Sequence, residues 1–135
     1  MRIAFGTDEE TPITKAMRDH LSAAGHQVVW LAEGEEWPEV GRAVGQAVAA
    51  GSAERGVVCC YTGTGVSMAA NKVRGVRAAL CTDAATAAGS RKWNDSNVLA
   101  VGLRLVSPDV ATEILDAFIT TSADDSERDA ISRVE

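Results

Sequence analysis

The chain has 135 residues, enough for one domain with a real core and too few for two of ordinary size. Hydrophobic residues make up 46% and charged residues 24%, the balance of an ordinary globular protein. A net charge of −6 argues against a nucleic-acid partner, and no run approaches the roughly 18 apolar residues that a membrane helix needs.

In chain order, Arg2–Phe5 is predicted as a short apolar strand leading into a loop, not a signal peptide. Thr14–Ala24 follows as a helix with Met17, Leu21 and Ala24 on one face, stopped by Gly25. His26–Leu31 is a strand, and Glu39–Ala50 a helix closed by Gly51. Gly56–Cys60 is the third strand, with Val66–Lys72 helical after it. Val76–Cys81 is the fourth strand, Asp83–Arg91 a helix and Val98–Val101 the fifth strand. Pro108 opens a further helix whose apolar stripe is Val110, Ile114, Leu115 and Phe118. Residues 122–135 are polar, either a frayed tail or a docking helix, behind a core of 1–121.

Five strands alternating with helices, without repeat or linker, predict a single α/β domain. The expected architecture is a doubly wound, Rossmann-like three-layer αβα sandwich around a five-stranded parallel sheet. Ligands in such sheets sit at the carboxyl ends of the strands. The residues just past those ends are Gly6-Thr7-Asp8, Cys60–Gly65, Thr82-Asp83 and Gly102–Arg104.

The segment Gly56–Lys72 carries the clearest chemistry. A strand ends in Cys60, a loop of Tyr61-Thr62-Gly63-Thr64-Gly65 follows, and a helix of small residues begins. That order sets a thiol beside the unpaired N–H groups of a helix N-terminus, where a thiolate and a developing oxyanion are both stabilised. The chemistry indicated is proton abstraction next to a carbonyl. The plainer alternative, that Cys59 and Cys60 are both small buried hydrophobes, suits Cys59 better than Cys60. Three cysteines, two of them adjacent and on opposite faces of a strand, read as reduced thiols in a cytoplasmic protein. Gly63-Thr64-Gly65 is not a dinucleotide fingerprint. It follows the third strand rather than the first, and Met68 stands where Gly or Ala is required. No Gly-Lys-Ser or Gly-Lys-Thr follows, so a Walker A loop is absent.

The same segment resembles the active-site region of the ribose-5-phosphate isomerase B and galactose-6-phosphate isomerase family. Ala69-Ala70-Asn71-Lys72, Val76–Asp83, Asn94-Asp95-Ser96-Asn97-Val98-Leu99 and Gly102–Arg104 match it too, over residues 1–120. The resemblance implies that Cys60 removes the proton beside the substrate carbonyl, and that Thr62, Gly63, Thr64 and Gly65 form the loop holding the sugar and its enediolate oxygens. It implies that Asp8 and Asn94 bind substrate and that Arg104 and Arg133, with Arg128 beside the latter, serve a phosphate. It further implies a small sugar or sugar phosphate as ligand, no cofactor and no metal, and a homodimer or tetramer with sites between subunits.

Three departures qualify the match. Where the family reads Asp-His-Ala-Gly, this chain has Asp8-Glu9-Glu10-Thr11. Either Glu9 points away, or the group bound there is not a phosphate, or both glutamates merely favour a helix N-terminus. Trp93 stands where the family has the histidine that opens a cyclic sugar. Indole cannot donate and retrieve a proton near neutral pH. Trp93 therefore either stacks on a ligand or packs at an interface. Tyr61 replaces a glycine, and the tail lacks the family's Gly-Gly-Arg-His. The expected activity is thus an aldose–ketose isomerase with a shifted, open-chain substrate. The alternatives are a non-catalytic sugar-binding relative or inactive partner subunit, and an isomerase of an unphosphorylated sugar.

Overall fold

The computed structural model describes residues 1–134. The elements are β1 (Arg2–Thr7), α1 (Pro12–Ala23), β2 (Gln27–Glu33), α2 (Trp37–Ala49), β3 (Arg55–Cys60) and α3 (Thr64–Asn71). They continue as β4 (Ala78–Leu80), α4 (Ala84–Asn94), β5 (Val98–Gly102) and α5 (Pro108–Thr120), before a 3₁₀ turn and α6 (Arg128–Ser132). All strand pairs are parallel, in the order β2-β1-β3-β5-β4.

The period-two alternation of each strand divides its residues between two cores. Ile3, Phe5, Val57, Cys59, Leu99 and Val101 face α1, α4 and α5 through Met17, Leu21, Ala87, Ile114 and Phe118. Ala4, Val58, Cys60, Val98 and Ala100 face α2 and α3 through Val40, Val44, Val66 and Ala70. The layers are therefore helix, sheet, helix, as the sequence predicted. Adjacent Cys59 and Cys60 fall in opposite cores. The chain leaves β1 across one face and β3 across the other, so the neighbouring carboxyl ends of β1 and β3 border a crevice.

Boundaries moved where capping chemistry decided them. The α1 helix begins two residues before its apolar pattern, because Thr11 and Thr14 cap each other's backbone and Pro12 fits the first turn. Asp83, expected inside α4, is instead its N-cap, accepting from the Thr86 amide at 2.7 Å. Strand β4 shrinks to three residues. The side chain of Asn71 accepts from the Ala78 amide at 2.8 Å and donates to its carbonyl at 3.0 Å, occupying the start of this edge strand. Asn97 does the same for the preceding loop, accepting from the Arg77 amide and donating to the Gly75 carbonyl. The tail touches the body through the Asp124 amide, which donates to the Lys92 carbonyl at 2.8 Å. No described helix is long and apolar enough to cross a membrane.

Candidate active site

Cys60 closes β3 and keeps 5% of its surface, whereas Cys59 keeps none. Burial, then the neighbouring Cys60 and Asp8, push the Cys59 thiol far above the ordinary range, which removes it as a base. Cys81 is likewise raised, chiefly by burial. All three thiols are free. Only Cys60 stands at the strand end next to the loop.

That loop is held by backbone geometry. Gly63 caps α3 in the left-handed region, at φ 77°, because the chain must reverse directly from β3 into the helix. A Cβ there would lie 2.7 Å from the Gly102 nitrogen and 2.9 Å from the Val101 carbonyl carbon, so the loop rests on the end of β5. The Leu103 amide donates to the Cys60 carbonyl at 2.9 Å, and the Arg104 amide to that of Tyr61 at 3.0 Å. Sheet pairing thus runs beyond the strands and fixes Arg104 beside the loop. Its guanidinium lies 5.3 Å from the centre of the exposed Tyr61 ring. The Thr62 and Thr64 hydroxyls are 2.7 Å apart. The first amides of α3, including that of Gly65, have no partner within the helix and open toward this end.

Asp8 joins the group from the end of β1, its amide donating to the Cys59 carbonyl at 3.3 Å. Burial, and then the charge of Glu9, raise its carboxyl above the ordinary value. Glu10 is turned away, 2.5 Å from Arg18 on α1. The Glu33 carboxylate beside it raises Glu10 as well. Neither glutamate serves α1: its first turn has no acidic residue and its cap is Thr11. Glu9 is exposed, with its backbone tied to the Thr7 hydroxyl. The acidic character of the rim comes instead from Glu35 and Glu36, which line a cleft of about 420 Å³ with Asp8, Gly34 and Trp37. Sequence reasoning missed Gly34, Glu35, Glu36 and Trp37. They lie in the loop after β2 and at the start of α2, a stretch that carries no motif of its own but shares the rim because β2 pairs with β1.

The remaining expected residues lie elsewhere in the chain. The amide of Gly56, the second residue of β3, donates to the Asn97 carbonyl, so Trp93 and Asn94 sit at the amino ends of the strands. Cys60 stands four steps further along β3 than Gly56, roughly 13 Å of strand. Trp93 lies over Gly89, one turn back on α4, and with Asn94 and Leu80 lines a groove of about 800 Å³ along the open edge of β4. Arg128 and Arg133 belong to the tail docked at this same end and pair with Asp125 and Asp129. One chain therefore presents two separate groups. Asp8, Cys60, Tyr61, Thr62, Gly63, Thr64, Gly65 and Arg104 form the first, and Trp93, Asn94 and the tail arginines the second. Among the described residues no cluster of His, Cys, Asp and Glu has metal-binding geometry.

This arrangement has close counterparts. The family described as Ribose/Galactose Isomerase matches residues 3–135. Ribose-5-phosphate isomerase B of Escherichia coli is 40% identical over 123 residues, 87% of this chain and 83% of that one. D-erythrulose-4-phosphate isomerase of Pectobacterium atrosepticum is 34% identical over 125 residues, 88% of this chain and 82% of that one. The solved structure of Clostridium thermocellum ribose-5-phosphate isomerase B superposes with a TM-score of 0.94 at 34% identity, over 99% of this chain and 95% of the other. With fold, loop and sequence in agreement along its whole length, the chain belongs to the ribose/galactose isomerase family and is an intramolecular oxidoreductase of the aldose–ketose class.

Proposed function

We propose that the protein interconverts the aldose and ketose forms of a small, open-chain sugar phosphate through a cis-enediolate. Cys60, as thiolate, takes the proton from the carbon beside the carbonyl. The C–H electron pair becomes the enediolate double bond, and the carbonyl oxygen takes up the negative charge. The Thr62 hydroxyl and the amides of the loop and first turn of α3 hold that oxygen. The thiol then returns the proton to the neighbouring carbon while a hydroxyl proton moves between the two oxygens. The reaction is balanced within the substrate and asks for no metal or organic cofactor. The observation that carries the reading is the position of Cys60: a thiol at a strand end beside an amide-rich helix start, with its neighbour Cys59 sealed.

Open-chain substrates are favoured because Trp93 replaces the ring-opening histidine. A four-carbon sugar 4-phosphate cannot close a five-membered ring, since its 4-oxygen is esterified. A relative named for D-erythrulose-4-phosphate supports the same size class. The acidic cleft of Asp8, Glu35 and Glu36 supports a second reading, an unphosphorylated sugar. Incubation of tetrose and pentose phosphates and their free sugars in D₂O decides between the two. Interconversion with deuterium gained at the α carbon is expected for the phosphates. Deuterium gained only by free sugars favours the second reading. Binding without exchange would reduce the protein to a sugar-binding relative.

The two separated groups further support a homodimer in which each site takes Asp8 and Cys60 from one chain and Trp93, Asn94 and the tail arginines from the other. An isologous pair brings opposite ends of two sheets together twice, by one symmetry operation. Cys60→Ala and Asn94→Ala variants should each be inactive alone. Unfolded together and refolded, they should recover about a quarter of wild-type activity, because half the dimers are mixed and each mixed dimer has one intact site. Recovery of none would place both groups in a single chain's site. Three free thiols also fit a reducing, cytoplasmic setting.

A further inference from the structure

Trp37 is the first residue of α2, and 44% of it is exposed. Its indole offers a flat apolar face beside three carboxylates, the pairing that suits a ligand with both C–H and hydroxyl groups. Its place is set by the catalytic loop: a Cβ on Gly65 would fall 2.8 Å from Trp37 Cδ2 and 2.9 Å from Cε3. The absence of a side chain at Gly65 lets the indole lie directly on the backbone that starts α3. The residue also lines the cleft of Asp8, Gly34, Glu35 and Glu36.

We propose that Trp37 is a specificity-determining residue of the isomerase, its indole forming the floor of a subsite for the uncharged polyol end of the substrate. The C–H face of a sugar chain lies against the ring, and its hydroxyls donate to Asp8, Glu35 and Glu36. Carboxylates only accept, and hydroxyls supply the donors they lack. A phosphate in the same cleft would meet three like charges, each opposing it by on the order of 1 to 4 kcal/mol at about 4 Å. The phosphate is therefore directed to the end away from Trp37. The inference rests on the isomerase reading but concerns binding, so it can be tested without turnover.

The test uses full-length protein labelled with ¹⁵N at its three tryptophan indoles, the Trp37 resonance being assigned from Trp37→Phe. Erythritol and ribitol have no carbonyl and cannot react. Titrating either should move the Trp37 indole resonance and leave Trp30 unmoved, in wild type and in Cys60→Ala alike. Inorganic phosphate should not move it. In turnover, Trp37→Ala should raise KM about tenfold with kcat within about twofold, and Trp37→Phe should restore most of the loss. A Trp37 resonance indifferent to polyols, or a Trp37→Ala variant that loses kcat at constant KM, would overturn the subsite and leave the ring as packing for Gly65. Because Cys60→Ala retains the polyol response, failure of the isomerase chemistry leaves this result intact. Failure of the subsite leaves deuterium exchange intact.

Discussion

Cys60→Ala should lower aldose–ketose interconversion by about 10²- to 10⁴-fold, the range a positioned proton-transfer group supplies. Deuterium gain at the α carbon should fall in the same proportion. The fold should survive, because the substitution removes one sulfur from a core otherwise made of Val40, Val44, Val66, Ala70 and Ala100. A loss of about 1 kcal/mol is expected, comparable to one buried methylene. Cys59→Ala supplies the contrast. Its thiol lies in the opposite core, so it should cost similar stability and leave turnover near wild type. Equal rates for Cys60→Ala and wild type would remove the proposed base. Equal losses for both variants would mean that packing of β3, not proton transfer, had been measured.

Gly63→Ala should be the most damaging small substitution in the chain. At φ 77° an alanine carries a left-handed penalty of about 1–2 kcal/mol. Its methyl would also enter space where the Gly102 nitrogen and Val101 carbonyl carbon stand at 2.7 and 2.9 Å. Backbone of an interior strand such as β5 cannot step aside as a side-chain end can, and overpacking of this kind adds about 1–3 kcal/mol. Together these remove about 2–5 kcal/mol from a domain whose whole stability is of order 5–15 kcal/mol. Urea denaturation reads this as a lower midpoint. Activity should fall further than stability, since the Thr62 hydroxyl and the first amides of α3 move with the loop. Gly34→Ala is the control. It also has positive φ, at 73°, but nothing lies within 4 Å of its Cβ position, so only the smaller conformational cost applies.

Local signals carried most of the fold. Unbroken apolar runs in Ile3–Phe5, Val57–Cys60 and Val98–Val101 indicate strands covered on both faces, and Gly25, Gly51 and Pro108 mark helix ends where the chain has them. The shortening of β4 was not legible, because before Ala78 the side chain of Asn97 takes up backbone groups 20–22 residues away. In the site, Cys60 and its loop were readable because one continuous segment contains them. Glu35, Glu36 and Trp37 were not, since their nearness to Asp8 and Gly65 follows from the order of strands rather than from spacing. Glu10 shows the converse. Two residues from Asp8 in sequence, it is drawn off by Arg18, a partner eight residues along on α1.

The amide of Asn71 has a consequence for self-association. It fills the donor and acceptor of Ala78, one rung of a border only three residues long. An intruding strand would find too few rungs left to zip onto, so runaway fibre growth from this margin is discouraged. The molecule can keep an apolar flank available for orderly pairing without offering a template for polymerisation.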